Sequence, residues 1–107
     1  IVAIRNNLID QHPWLPNTVF DAYSKAKSLM YDHLKKVGWA AISLPWAAQE
    51  MEETRALMGD NFWPYGIRPN RKPLEALFLY SYEQGLASKK LTIEELFHPS
   101  SLEFTEI

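Results

Sequence analysis

Three aromatic residues lie close together in one predicted loop, Phe62, Trp63 and Tyr65, and Arg68 follows shortly after. Loops usually carry polar side chains, so these rings must be buried against something or must bind something. Aromatic rings stack on planar ligands, and an arginine binds a carboxylate through two parallel hydrogen bonds. The combination predicts a site for a small aromatic acid, with Tyr65, Arg68 and Trp63 as its candidate contacts.

The same rings also have a structural interpretation. Tryptophan and tyrosine most often belong to a core and keep a polar end hydrogen-bonded. Pro64 restricts the loop and Gly66 permits an unusual backbone angle, so Trp63 is expected to be a largely buried packing anchor. Tyr65 and Arg68 are the better candidates for ligand contact, because their polar ends can face a cleft while their stems pack.

The histidines His12, His33 and His98 are far apart in the sequence. No two of them have the i, i+4 spacing of a helical metal site, so no metal site is predicted. A position at a helix end for His12 and His98, and on the solvent-facing edge of a helix for His33, explains them better than acid–base catalysis does. The chain contains no cysteine, which excludes thiolate nucleophiles and disulfides. No catalytic residue is identified.

Charged residues cluster on one predicted helix, but their spacing favours a solvated surface. Glu50, Glu52 and Glu53 point in different directions around the helix, which does not suit a pair of catalytic carboxylates. Glu52 can pair with Arg55 across one turn. Arg55 and Asp60 are predicted to lock the following loop rather than to contact a substrate.

Apolar residues that recur every three or four positions place these candidates among helices. The predicted elements are helices at 13–37, 45–58, 71–84 and 93–97, and the aromatic loop at 60–69. Gly59 is a good residue to end one helix, and Asn70 is a plausible N-cap for the next. Thr92 and Glu95 have the spacing of a capping box, which opens the last helix.

The two ends of the chain are less regular. Residues 1–5 form a β-prone apolar run, which predicts one short strand. A lone strand leaves its backbone groups unpaired, so it must pair with another part of the protein. Residues 5–11 are predicted to be a connector or one helical turn, and residues 100–107 a tail. The chain is therefore predicted to be mainly α-helical.

Length and charge narrow the range of partners. The chain has 107 residues, which suits one domain or part of one, and its net charge is −2 with both signs scattered. Without a basic stripe, no nucleic-acid partner is expected. No apolar run approaches the roughly 18 residues of a membrane span, so no membrane partner is expected. We find no signal peptide and expect a cytoplasmic protein.

Two stretches resemble the C-terminal end of the 4,5-dihydroxyphthalate decarboxylase family: EETRALMGDNFWPYGIRPNRKPLEALFLYSYEQGL and LTIEELFHPSSLE. The resemblance extends over nearly the whole chain. That family is related in fold to type II periplasmic substrate-binding proteins. It implies a C-terminal helical fragment of a type II periplasmic-binding-protein-like α/β fold, with one short N-terminal strand and roughly two thirds of the full-length protein absent.

The resemblance also implies a reaction, in which 4,5-dihydroxyphthalate loses CO₂ to give protocatechuate without an organic cofactor. Two alternatives are a substrate-binding protein without catalysis and a purely structural segment, because a fold does not determine a function. In each case the isolated chain is expected to be catalytically inactive and to require the remainder of its own chain as a partner. Its exposed apolar surface is expected to cause self-association.

Overall fold

Helices account for most of the computed structural model, which describes residues 1–36 and 44–106. The helices in this part of the chain are α1 (Asn6–Gln11), α2 (Leu15–Lys36), α3 (Ala47–Met58), α4 (Ile67–Glu83) and α5 (Ile93–Leu96). A short 3-10 helix follows at Pro99–Ser101. The prediction of a mainly α-helical chain is confirmed.

The predicted strand at residues 1–5 requires a second strand from another part of the protein, so it stays a prediction. None of the described residues belongs to a strand, and α1 follows directly after Arg5. The Arg5 backbone is extended, with φ −65° and ψ 134°, and its carbonyl accepts the Leu8 N–H at 3.0 Å. Extended backbone becomes a strand only when a second strand pairs with it. The apolar run therefore leads into a helix, in the segment predicted to be a connector or one helical turn.

Helix α4 begins four residues before the predicted start at residue 71. Gly66 precedes its first residue, with a φ of 101°. Asn70 is not the N-cap: its side-chain Nδ2 donates to the Gly66 carbonyl at 2.8 Å from within the helix. Pro69 lies in the first turn, where a proline loses no helical hydrogen bond. Pro73, predicted at the third helical position, consequently lies in the helix interior.

Two predicted helix ends are confirmed. Gly59 ends α3 with a φ of 85°, and its N–H donates to the Arg55 carbonyl at 2.8 Å. Thr92 and Glu95 form the capping box, in which Glu95 N–H donates to Thr92 Oγ1 at 3.2 Å and Thr92 N–H donates to Glu95 Oε2 at 2.9 Å. The predicted end of α2 at Val37, before Gly38, lies outside the described residues.

The chain divides into two compact units, which we name by their place in the sequence. The flanking unit comprises Ile1–Asp21 and Tyr65–Ile107, and the central unit comprises Ala22–Pro64. A small core in the flanking unit consists of Ile67, Phe78 and Ile93. Four half-buried side chains pack against this core: Leu74, Leu91, Phe97 and Leu102. In the central unit, none of the described residues is buried.

Large apolar side chains are exposed in both units. In the central unit, Leu57 is 87% exposed and Trp46 is 70% exposed. In the flanking unit, Leu86 is 79% exposed. The helices of the described segments all fall short of the length and apolarity that crossing a bilayer would require.

Candidate functional site

The aromatic loop after α3 is attached to α2 within the central unit. Lys27, on α2, donates from Nζ to Asn61 Oδ1 at 2.9 Å and to the Trp63 carbonyl at 2.8 Å. The same Nζ lies 5.5 Å from the centre of the Tyr31 ring, one turn further along α2. Lysine 27 thus binds one side chain and one backbone carbonyl of the loop.

Phe62 is the loop ring that packs against this helix. Its centroid lies 4.9 Å from that of Tyr31, with 25° between the ring planes, which is a stacked arrangement. Such a pair contributes about 0.5–1.5 kcal/mol beyond the area that it buries. Phe62 therefore anchors the loop, together with the two hydrogen bonds of Lys27.

Trp63 is 67% exposed, so the prediction of a buried packing anchor is wrong. The physical reason lies in its neighbours. Phe62 occupies the stacking surface that Tyr31 offers, and Lys27 binds Trp63 through its carbonyl rather than its indole. The backbone of Trp63 is held while its ring remains accessible. An exposed ring of this kind is available for stacking on another aromatic group.

Tyr65 and Arg68, in the flanking unit, both bind residues 102–106, which we call the C-terminal segment. Tyr65 is half-buried, and its backbone N–H donates to Glu106 Oε2 at 3.0 Å. Arg68 pairs with the Glu103 carboxylate, and their side chains are 67% and 72% exposed. Ion pairs this exposed contribute roughly 0–1 kcal/mol, so a competing carboxylate can replace Glu103.

The C-terminal segment also makes close contact with the start of α4. A Cβ added to Gly66 would lie 2.6 Å from the Phe104 carbonyl oxygen, which only glycine avoids at this position. The Phe104 ring lies 5.2 Å from the Phe20 ring, tilted by 43°. The residues predicted to be a tail therefore pack against the rest of the flanking unit.

The histidines are placed at helix ends or on the surface. The N–H of Ser100 donates to His98 Nδ1 at 3.3 Å, which caps the 3-10 helix. His12 follows α1 and lies 5.6 Å from the Trp14 ring, and His33 is exposed in the last turn of α2. Within residues 1–36 and 44–106, no group of three histidine, aspartate or glutamate residues is arranged to hold a metal ion.

Two features of helix α3 bear on the predicted acidic cluster. Glu53 accepts a hydrogen bond from Gln49 Nε2 at 2.9 Å, one turn away on the same helix. Arg55 Nε is buried and has no hydrogen-bond partner, so this atom forms no lock with Asp60. Two hydroxyls of α2, Ser24 Oγ and Tyr31 OH, are likewise buried without a hydrogen-bond partner.

A shallow groove of about 280 Å³ lies between α4 and α5, and sequence reasoning did not identify it. Arg71 crosses it and pairs with Glu75 at 3.3 Å and with Glu94 at 3.4 Å. The hydrogen bond to Glu75, then that to Glu94, raises the pKa of Arg71 above its usual value. The groove is lined by Arg71, Glu75, Phe78, Lys90, Leu91, Thr92, Ile93 and Glu94. Its two cations and two carboxylates balance, so it does not select a ligand by net charge.

A curated protein matches the chain along nearly its whole length. Over 106 residues, the chain is 33% identical to 4,5-dihydroxyphthalate decarboxylase from Comamonas testosteroni. The predicted resemblance is confirmed. The match covers 99% of this chain and 32% of the relative, so the chain spans about a third of the relative's length.

No protein-family model and no solved structure matches the chain. The type II periplasmic-binding-like fold of the full-length protein therefore remains a prediction. The helices described above agree with a helical fragment.

Proposed function

We propose that the full-length protein containing this chain is a decarboxylase of aromatic carboxylates. The observation that carries the proposal is the 33% identity with 4,5-dihydroxyphthalate decarboxylase, which extends over 99% of the chain. Since the chain spans about a third of that relative, we assign the activity to the full-length protein and expect none from the chain alone.

The chemistry of 4,5-dihydroxyphthalate explains what the protein must supply. Each ring hydroxyl lies para to one carboxylate, so its deprotonation places negative charge on the carbon that bears this carboxylate. An acid protonates that carbon. The bond between the carbon and its carboxylate then breaks, CO₂ leaves, and the electrons of the broken bond restore the aromatic ring. The protein must hold the second carboxylate, exclude water and position one acid–base group.

This chain can contribute binding groups to such a site. The exposed Trp63 indole offers a flat surface on which a substrate ring can stack. The Arg68 guanidinium can bind the second substrate carboxylate in place of Glu103, because their exposed ion pair is weak. Tyr65 lies three residues before Arg68 and supplies a phenol group. We propose a binding role for each residue within its own unit, Trp63 in the central unit and Tyr65 and Arg68 in the flanking unit, and a catalytic role for none.

The test is to incubate the full-length protein with 4,5-dihydroxyphthalate and to measure CO₂ and protocatechuate. Phthalate is the matched control substrate, because without a para hydroxyl it cannot place charge on the reacting carbon. We expect turnover of the dihydroxy compound only. Absence of turnover with the pure full-length protein would contradict the proposal, and binding without CO₂ release would favour a substrate-binding protein.

Variants assign the binding groups. Arg68→Ala should raise KM about tenfold, since a hydrogen bond to a charged group is worth roughly 1.5–3 kcal/mol. Lys72→Ala removes an exposed cation from the same helix and should leave KM unchanged. Tyr65→Phe tests the phenol separately. Equal KM values for Arg68→Ala and Lys72→Ala would exclude Arg68 from the site.

We also propose that the remainder of the polypeptide covers part of the exposed apolar surface of this chain. The exposed side chains include Leu57, Trp46 and Leu86. In isolation the chain should self-associate, because large exposed apolar patches promote association. A monodisperse monomer at about 100 μM in sedimentation, with no binding of an apolar dye, would contradict this.

A further inference from the structure

Lys27 is a helix residue that holds two points of a loop lying far away in the sequence. Its acceptors, the Asn61 side chain and the Trp63 carbonyl, are 34 and 36 residues further along the chain. Lys27 is itself half-buried, and both of its hydrogen bonds to the loop are exposed to solvent. Lys27 therefore holds the loop backbone at Trp63 and the side chain of Asn61, two residues earlier.

Two further restraints act on the same short stretch. Phe62, between the two residues bound by Lys27, stacks on Tyr31 at 4.9 Å. Pro64 follows Trp63, and a residue before proline is restricted to extended backbone conformations. The Trp63 backbone is thus restrained on both sides, although its indole is 67% exposed.

A restrained backbone with an exposed indole differs from both usual uses of tryptophan. The indole of a packing tryptophan would be buried. A surface tryptophan without a function would not need the restraints present here, which are the two hydrogen bonds of Lys27, the stacked ring of Phe62 and the proline that follows. Restraint before binding reduces the conformational entropy that binding costs. The combination is typical of a residue held ready for a partner with a flat apolar face.

The charge beside the Trp63 backbone favours an aromatic acid as this partner. The Lys27 ammonium lies 2.8 Å from the Trp63 carbonyl oxygen, so a cation stands beside the backbone that carries the indole. The ring of an aromatic acid can stack on the indole, and its negative charge is attracted by the Lys27 ammonium. An apolar protein segment would gain from the indole alone.

We infer that Lys27 is a positioning residue, which holds the aromatic loop so that the Trp63 indole stacks on the ring of an aromatic acid substrate. The inference rests on the proposed function. It adds a role for Lys27, which acts through Trp63 and is not itself a catalytic residue.

The experiment compares Lys27→Met with Lys25→Met in the full-length protein, with 4,5-dihydroxyphthalate as substrate. Methionine retains an unbranched side chain but removes both hydrogen bonds to the loop. Lys25 is an exposed lysine of the same helix and serves as the control. Two quantities are measured: steady-state KM and kcat, and hydrogen exchange of the Asn61, Phe62 and Trp63 amides.

We expect Lys27→Met to accelerate exchange of the loop amides and to raise KM about three- to tenfold, with kcat within about twofold. Trp63→Ala should raise KM at least as much, and combining it with Lys27→Met should add little further, because Lys27 acts through the indole. Lys25→Met should change neither quantity.

Three results would overturn the inference, and they can be told apart. Unchanged amide exchange in Lys27→Met would show that Lys27 does not hold the loop. Faster exchange with unchanged KM and a lowered thermal midpoint would show that the held indole packs against the remainder of the protein. If the unmodified protein does not turn over the substrate, the proposed function fails first, and the inference fails with it.

Discussion

The flanking and central units differ in what holds them together. The flanking unit has a buried apolar core of Ile67, Phe78 and Ile93. The central unit has no buried residue among those described, and its loop is held by Lys27. Burying a large apolar side chain contributes about 1.5–3 kcal/mol, whereas a hydrogen bond contributes about 1 kcal/mol net. We conclude that a buried apolar core stabilises the flanking unit, whereas hydrogen bonds and one stacked ring pair hold the loop of the central unit.

The largest expected effect is in the core of the flanking unit. Phe78→Ala removes a ring that is 6% exposed and should lower the free energy of unfolding by about 3–4 kcal/mol. Leu77→Ala, at the neighbouring position of α4 and 54% exposed, is the control and should cost less than about 1 kcal/mol. Urea unfolding of the chain measures both. Similar losses of unfolding free energy for Phe78→Ala and Leu77→Ala would show that Phe78 contributes no more to stability than an exposed residue does.

The next effect concerns two glycines, one from each unit. Gly66 and Gly59 both have positive φ, 101° and 85°, so alanine is strained at either position. Only at Gly66 would the new Cβ also meet a backbone oxygen, that of Phe104. Gly59→Ala should cost about 1–2 kcal/mol, and Gly66→Ala at least about 1 kcal/mol more. Equal urea midpoints for the two variants would show that the C-terminal segment moves away from the new Cβ without a loss of stability.

A smaller effect is expected at the capping box of the flanking unit. Thr92→Ala removes the hydroxyl that accepts the Glu95 N–H and should cost about 1 kcal/mol. Thr105→Ala, an exposed threonine outside any helix, is the control and should be neutral. The free energy of unfolding of the two variants, measured in urea at pH 7, decides whether the cap is stabilising.

The same capping box predicts a dependence on pH. The hydrogen bond from Lys89, then that from the Thr92 N–H, lowers the pKa of Glu95 below 4.5. The carboxylate therefore contributes stability above pH 4.5, and this contribution is lost as the pH falls through the lowered pKa. Glu95→Gln should reduce the loss of stability in acid. An unchanged acid profile in Glu95→Gln would contradict the assignment.

The smallest effect is expected in the central unit. Trp63→Ala should change the free energy of unfolding of the chain by less than about 0.5 kcal/mol, because the ring is 67% exposed. Phe62→Ala, which removes the ring stacked on Tyr31, should cost about 1 kcal/mol or more. A larger loss for Trp63→Ala than for Phe62→Ala would reverse the roles of the two rings.

Local signals in the sequence predicted part of this arrangement. The capping box of Thr92 and the helix end at Gly59 depend on neighbours within a few residues, and both are confirmed. The start of α4 was predicted incorrectly because Asn70 also suits an N-cap, while Gly66 meets Phe104 only in the folded chain. The backbone approach that selects glycine there comes from a residue far along the sequence.

The candidate site depended more strongly on distant residues. Phe62 rather than Trp63 packs against α2 because Tyr31 and Lys27 occupy the same face of this helix. No pattern within the loop distinguishes the two rings. The prediction for Arg68 is a ligand carboxylate, which stays a prediction, and the structure places the Glu103 carboxylate beside it. The chemistry of arginine predicts a carboxylate as its partner, whereas the sequence does not identify which carboxylate it is.

The contacts of the C-terminal segment also imply an order of events during synthesis. Glu103 lies 35 residues after its partner in α4, Arg68. Glu106 lies 41 residues after its partner just before α4, Tyr65. A ribosome adds about 5–20 residues per second, so the start of α4 waits about 2–8 s for these contacts. Glu94 follows Arg71 by only 23 residues and arrives sooner. A chain ending at residue 98 should therefore already protect the Phe78 amide from hydrogen exchange, while the Tyr65 amide exchanges faster than in the complete chain because the shorter chain lacks the Glu106 carboxylate.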